Sequence, residues 1–254
     1  MSGDVGRGAN RHSPELVGVG VGPGDPDLMT VAAVREFGTA GRIFVPVMDL
    51  DTEGRAEAVV RGHVDHDRIE RLVFALNHDV AGPQQRRRER WDAAAARVVE
   101  HLYARGGTAA FATLGDPAVY STFSYLAAGV RAALPDVRVR TIPGITAMQA
   151  AASAAGVMLV EGTEPLTLVP LTRSLDGLDA ALAGPGTVVA YKGGRHIDEV
   201  RRSVDAAGAL DRAWCAEHLG TPDEKVVPLA EMDAASYLST VVVLPVRGGR
   251  GRQL

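Results

Sequence analysis

The stretch LVGVGVGPGDPDLMT, residues 16–30, decides how the chain is read. Its first six residues, LVGVGV (16–21), are apolar and valine-rich, which predicts a buried strand. GPGDP then forces a turn, and a helix follows over about 28–37. Gly18, Gly20 and Gly22 superficially match a dinucleotide-binding turn. Such a turn needs its helix to begin at once, so that backbone N–H groups face a pyrophosphate. Here Pro23 lacks an N–H and Pro26 fixes a second φ angle, so the loop is rigid and poor in donors. No GxxxxGK[ST] occurs, which excludes a P-loop nucleotidase. A turn without a ligand is the plain alternative, but two prolines, three glycines and an aspartate exceed what a turn requires.

Outward from this stretch, short apolar runs alternate with helical patterns, as in a sheet flanked by helices. Strands are predicted at RIFVPV (42–47), IERLVF (69–74) and TAAFAT (108–113), with helices over 53–64, 84–105 and up to about Leu134. In the long helix Val98, Val99 and Leu102 recur at helical spacing, and Arg86, Arg87 and Arg88 are expected on a solvated face. Further strands are read at VRVRTI (137–142), LTLVPL (166–171), TVVAYK (187–192), RAWCAE (212–217) and STVVVLPV (239–246), with the clearest later helix after Lys192. The expectation is α/β: a disordered arm over 1–14, one α/β domain over 15–134, a second over 135–246, a cofactor cleft between them, and a disordered Gly/Arg tail over 247–254.

Two later segments repeat the logic of the first. In FATLGDPAVYSTFSYL (111–126) a buried strand runs into Gly-Asp-Pro and then a helix. Asp116 thereby stands at the C-terminal end of a strand, where open α/β sheets place ligands. The alternative is that Asp116 only N-caps the next helix, with Pro117 at its first position. In TIPGITAMQAAASAAGV (141–157), Gly144 makes a turn after a strand and Thr146 is placed to cap an alanine-rich helix. That helix suits either a closely approaching ligand or close packing on a sheet.

Bulk properties narrow the classes. The 254 residues are 46% hydrophobic, 23% charged and 5% aromatic, the proportions of a globular chain with helix-on-sheet packing. A net charge of −4 argues against a general nucleic-acid binder. The single cysteine, Cys215, excludes an intramolecular disulfide framework and a thiolate metal site. His63, His66 and His78 lack the spacing of metal ligands, and no metal site is expected. No run approaches the roughly 20 apolar residues of a membrane helix, and a cytoplasmic protein without nucleic-acid or membrane partners is expected.

The three motifs, in this order, resemble those of the tetrapyrrole methyltransferases of corrin and sirohaem synthesis: a GxGPGDPxLxT loop, a second Gly-Asp-Pro, and a P-G-[IV]-[TS] turn. The resemblance spans about 16–246. Within the family the likeness is to enzymes that methylate precorrin-2 at C20. LGDPAVYSTFSYL (114–126), VEGTEPLTLVPL (160–171), YKGGRH (191–196) and AEHLGTPDEKVVPL (216–229) carry it. Ala32 departs from it, standing where many relatives have lysine. The resemblance implies a two-domain class III methyltransferase fold, a homodimer, and S-adenosylmethionine held in the cleft. By motif, Pro23, Leu114, Gly115, Asp116, Val119, Thr146 and Ala147 would line the cofactor, with Lys192, where relatives often present methionine, and Ala216.

Methyl transfer asks the protein mainly for alignment, worth on the order of 7–11 kcal/mol in well-oriented cases. In precorrin-2 the nucleophile is an electron-rich meso carbon, from which a proton must then leave. Tyr120 is the candidate for steering that proton; its alternative is a helix residue with its hydroxyl in water. Lys192, Arg195 and His196 follow a predicted strand and are the candidates for meeting substrate carboxylates. Other corrin intermediates, a peptide acceptor, or a non-catalytic tetrapyrrole- or nucleotide-binding role on the same fold remain the alternatives.

Overall fold

A computed structural model describes residues 13–64, 66–74, 84–172 and 174–249. Contacts divide the chain into two units. The first runs to Gly22 and resumes over Met29–Gly144; the second takes Pro23–Leu28 and continues from Ile145.

In the first unit, β1 (Glu15–Gly20), α1 (Val31–Thr39), β2 (Arg42–Val47), α2 (Arg55–Arg61), β3 (Ile69–Val73), α3 (Gln84–Arg105), β4 (Thr108–Thr113), α4 (Phe123–Ala133) and β5 (Arg138–Ile142) follow one another. The five strands form one sheet in the order β3-β2-β4-β1-β5, with every pair parallel. Alternation along each strand sorts its side chains between two cores. Val17, Val19, Ile43, Val45, Ala110 and Ala112 pack with Ala33, Phe37 and Val59. Leu16, Phe44, Ala109 and Phe111 pack with Val98, Leu102, Leu126 and Val130. Gly18 falls on the second of these faces. A Cβ there would lie 2.5 Å from the Phe123 ring, so the missing side chain is what lets α4 seat Phe123 flat on β1. Because β1 leads to α1 on one face and β4 to α4 on the other, the ends of these adjacent strands form a topological switch point, the place where such sheets bind ligands.

The second unit holds α5 (Ala147–Ala155), β6 (Leu166–Pro170), α6 (Asp176–Leu182), β7 (Thr187–Tyr191), α7 (Ile197–Ala206), β8 (Ala213–Glu217), β9 (Lys225–Pro228) and β10 (Thr240–Val243). Its sheet runs β6-β7-β10-β8-β9. β6 and β7 are parallel, whereas β10 is antiparallel to β7 and β8, and β9 to β8. One face packs on α6 and α7 through Leu178, Val200, Val204 and Cys215. The other receives α5 through Ala147 and Ala151. Burial pushes the Cys215 thiol up to about 12, so it is an inert core residue. No helix among the described residues is long and apolar enough to cross a membrane.

Two α/β units are as expected, but the division near 134/135 moves. Residues 138–142 pair with β1, Glu15 opposite Arg138 through Val19 opposite Ile142, so this strand closes the first sheet. Composition does not distinguish a last strand of one sheet from a first strand of the next. Arg247, expected to open the tail, is held in place. It pairs with Glu164 at 2.7 Å and donates to the Met158 and Leu159 carbonyls. β9 was not anticipated, and β10 ends at Val243 rather than 246. The expected solvated arginine face is only partly so: Arg86 and Arg88 are exposed, while Arg87 is 9% exposed and belongs to the buried side of α3. His78 lies outside the described residues.

Candidate functional site

In the first unit the three motifs meet backbone to backbone. A Cβ on Gly20 would stand 2.6 Å from both the Gly115 carbonyl oxygen and the Gly144 nitrogen, so a side chain there is excluded by main chain, which cannot rotate away. Gly115, at φ 71°, donates to the Gly22 carbonyl at 2.7 Å and accepts from its N–H at 3.3 Å. The left-handed turn this requires is the one that glycine adopts without cost. Thr30, the last residue of the opening motif, caps α1 by accepting from the Ala33 N–H at 3.1 Å.

Asp116 is fully used. One carboxylate oxygen accepts from the Ala118 N–H at 2.7 Å and the other from the Gly144 N–H at 2.9 Å. It therefore fixes its own turn and ties the second motif to the third. The helix-capping alternative fails, because α4 begins only at Phe123. The hydroxyl that serves that end is Ser121's, which accepts from the Phe123 N–H at 3.1 Å and lies 2.8 Å from the Thr113 hydroxyl. Leu114, Gly115, Asp116, Val119 and Tyr120 are thus brought together on one short loop. Tyr120 has φ 48°, a strained value for a bulky residue. Its side chain is partly exposed, and burial raises its pKa, so the phenol stays protonated near neutrality. It is equipped to donate a hydrogen bond rather than to accept a proton.

The second unit gathers the remaining candidates at one end of its sheet. Thr146 opens α5 in a capping box, its N–H and hydroxyl both donating to the Gln149 side-chain oxygen at 3.0 and 2.9 Å. Ala147 and Ala216 share one apolar cluster with Tyr191 and Leu219. Pro23 belongs to the segment whose Gly24 packs on the Leu219 carbonyl and whose Asp25 packs on Gly220; a Cβ on either glycine would strike backbone. Lys192 follows β7 in a left-handed conformation, φ 64°, and its N–H donates to the Ser239 carbonyl at 2.9 Å. Burial lowers its pKa, and no carboxylate pairs with it among the described residues. Arg195 places its guanidinium 5.0 Å above the Tyr237 ring. His196 is turned to Glu199 on its own helix at 2.8 Å, which ties it locally.

Sequence reasoning passed over Ser121, Tyr237 and the pair Glu217 and His218. His218 follows β8 at φ 53°. A signal for it was present, a histidine directly after a predicted strand.

The model of the family described as Tetrapyrrole (Corrin/Porphyrin) Methylases matches residues 15–233. The chain is a tetrapyrrole methylase. Among curated relatives, a precorrin-2 C(20)-methyltransferase of Sinorhizobium sp is 34% identical, over 90% of this chain and 94% of that one. A probable cobalt-precorrin-2 C(20)-methyltransferase of Methanocaldococcus jannaschii is 33% identical over 66% and 68%. Among solved structures, a putative cobalamin synthesis related protein (CobF) from Corynebacterium diphtheriae superposes with a TM-score of 0.68 at 16% identity, covering 92% of this chain and 100% of that one. At that identity the likeness establishes the fold alone. For a tetrapyrrole methylase the three interlocked glycines acquire a reason: they are the family's hallmark residues, and they hold three loops in register at a switch point.

Proposed function

We propose that this tetrapyrrole methylase transfers the methyl group of S-adenosylmethionine to C20 of precorrin-2, giving precorrin-3A. The observation that carries the reading is the likeness to the Sinorhizobium enzyme, which extends over nearly the whole of both chains. The residues proposed to meet the cofactor are Leu114, Gly115, Asp116 and Val119, together with Pro23, Thr146, Ala147, Lys192 and Ala216. The fit is chemical: apart from Asp116, whose carboxylate is already engaged by two backbone N–H groups, and Lys192, these are backbone groups and small or apolar side chains, suited to an adenosyl group. At Gly115 nothing lies within 4 Å of where a Cβ would stand, which leaves the loop open above its backbone. When bound, the cofactor supplies the electrophilic methyl.

The chain's own residues then have three tasks. The rigid loops hold the alignment. Tyr120 offers a hydroxyl proton as a hydrogen bond to the reacting macrocycle. Lys192 and Arg195 meet the acidic periphery, with His196 beside them; guanidinium suits carboxylates through paired hydrogen bonds. Isothermal titration with S-adenosylmethionine, followed by the mass of the product from precorrin-2, tests this. Saturable binding and a product heavier by one methylene are expected; binding without methyl transfer to precorrin-2 refutes the substrate assignment. We also propose a cytoplasmic homodimer, and a monomeric mass by light scattering at micromolar concentration would refute the dimer.

A further inference from the structure

The end of the second sheet carries a feature that the proposed reaction needs and that no residue so far supplies. β7 and β8 run in the same direction with β10 between them, Thr240 standing opposite both Tyr191 and Ala216. Each strand is followed at once by a non-glycine residue held left-handed, Lys192 after β7 and His218 after β8. A left-handed conformation strains a residue that carries a Cβ. Such strain collects at functional sites. At His218 it is held from both sides. The His218 carbonyl accepts from the Thr221 N–H at 3.1 Å and its hydroxyl at 2.7 Å. Leu219 and Gly220 carry Gly24 and Asp25 of the opening motif directly on their backbone. The backbone at His218 is thereby tied to the loop that defines the family.

The imidazole also has an oriented carboxylate. Nε2 of His218 lies 3.8 Å from a Glu217 oxygen, and that oxygen accepts from the Ser236 N–H at 2.6 Å. Glu217 is thus fixed by the loop that leads into β10. The charges around the pair are mixed. Glu224 accepts from the Gly220 N–H at 2.7 Å, Lys225 stands opposite Glu217 across β8 and β9, Asp25 packs on Gly220, and Lys192 follows β7, beyond the intervening β10.

We propose that His218 accepts the proton released from C20 and that Glu217 is its positioning residue. The proposal rests on the precorrin-2 reading above. In the step, the bond from sulfur to methyl breaks as the bond from C20 to methyl forms. The C20–H bond then breaks, its electron pair returning to the conjugated macrocycle and its proton passing to the imidazole. The sulfide leaves neutral, and no oxidant or reductant is needed. Imidazole is the side chain that ordinarily gains and loses a proton between pH 5 and 8, whereas the Tyr120 phenol is already protonated there. Glu217 stabilises the imidazolium that forms.

The test uses the full chain in single turnovers over pH 5.5–8.5 (~3 pH units around the range where imidazole titrates). Wild-type protein first establishes S-adenosylmethionine binding and conversion of precorrin-2; if either fails, the functional reading falls before His218 is addressed. His218→Asn is the variant of choice, because asparagine tolerates the left-handed backbone. It is expected to bind S-adenosylmethionine as wild type does, and to lose about 100-fold or more in rate, the usual share of a general base. It is also expected to lose the acid limb of the profile. Glu217→Gln still accepts from the Ser236 N–H but no longer offers a charge to the imidazolium, so its single-turnover rate falls while S-adenosylmethionine affinity holds. A His218→Asn enzyme that keeps the limb overturns the proposal. A loss of thermal stability and cofactor affinity with the limb unmoved overturns it equally, since that is a structural role.

Discussion

Asp116→Asn separates the roles an aspartate can play after a strand. In the native loop its two oxygens accept from the Ala118 and Gly144 N–H groups at 2.7 and 2.9 Å. Asparagine keeps one acceptor and turns an amide N–H toward the other donor, so one backbone N–H loses its partner and meets a like dipole. A hydrogen bond to a charged group contributes about 1.5–3 kcal/mol, and Asp116 is half-buried, which favours the lower part of that range. A loss of about 2 kcal/mol corresponds to about 4–8 °C in melting temperature for a domain of 150–250 residues. Because Gly144 is the tie, the second and third motifs are loosened together, and S-adenosylmethionine affinity should fall by about one decade, or about 1.4 kcal/mol. Differential scanning calorimetry and isothermal titration on the same preparation read both effects. Unchanged melting temperature together with unchanged affinity would refute the reasoning, because asparagine replaces aspartate silently only where the residue is a simple cap.

Three further outcomes are expected. Gly20→Ala should cost about 1–3 kcal/mol or more, as overpacking does, since the new methyl meets two backbones; denaturant unfolding measures it, and a near-neutral result would sink the three-loop crossing. Glu57 is fully buried. Burial pushes its pKa up, but hydrogen bonds from Arg71 at 2.7 Å and Arg61 at 2.8 Å outweigh this and leave it below the usual carboxylate value. Its stabilising contribution is therefore present above the unfolded value of about 4.3 and is lost as pH falls through the lower folded value. Glu57→Gln should flatten that acid decline in stability, and an unaltered pH dependence by calorimetry would count against it. Lys192→Met should relieve the burial of an unpaired ammonium and raise the melting temperature slightly, while raising KM for precorrin-2 about tenfold if a charge-assisted contact of about 1.4 kcal/mol is lost; an unchanged KM removes Lys192 from the substrate roles.

The fold was largely legible because its strands are nearly continuous apolar runs between turns made by glycine and proline. LVGVGV and TAAFAT could hardly be placed anywhere but in the buried middle of a sheet. What escaped was set by long-range pairing. VRVRTI alternates arginine with apolar residues and gives no sign that its partner is β1, more than a hundred residues away in sequence; KVVP is too short to announce β9. The site divides in the same way. Gly20, Gly115 and Gly144 were visible as motif letters, yet their mutual contact belongs to three dimensions. Asp116 was visible as the end of a strand, but its partner at Gly144 was invisible because nothing local ties the two. The strain at Tyr120 and Lys192 has no one-residue signature, since Tyr and Lys are not residues that favour left-handed turns.

The crossing of Gly20, Gly115 and Gly144 recruits positions that lie far apart along the chain. None of the three loops has a complete set of partners until β1, β4 and β5 are all aligned. Displacing any one of the three strand ends therefore disturbs all three loops at once.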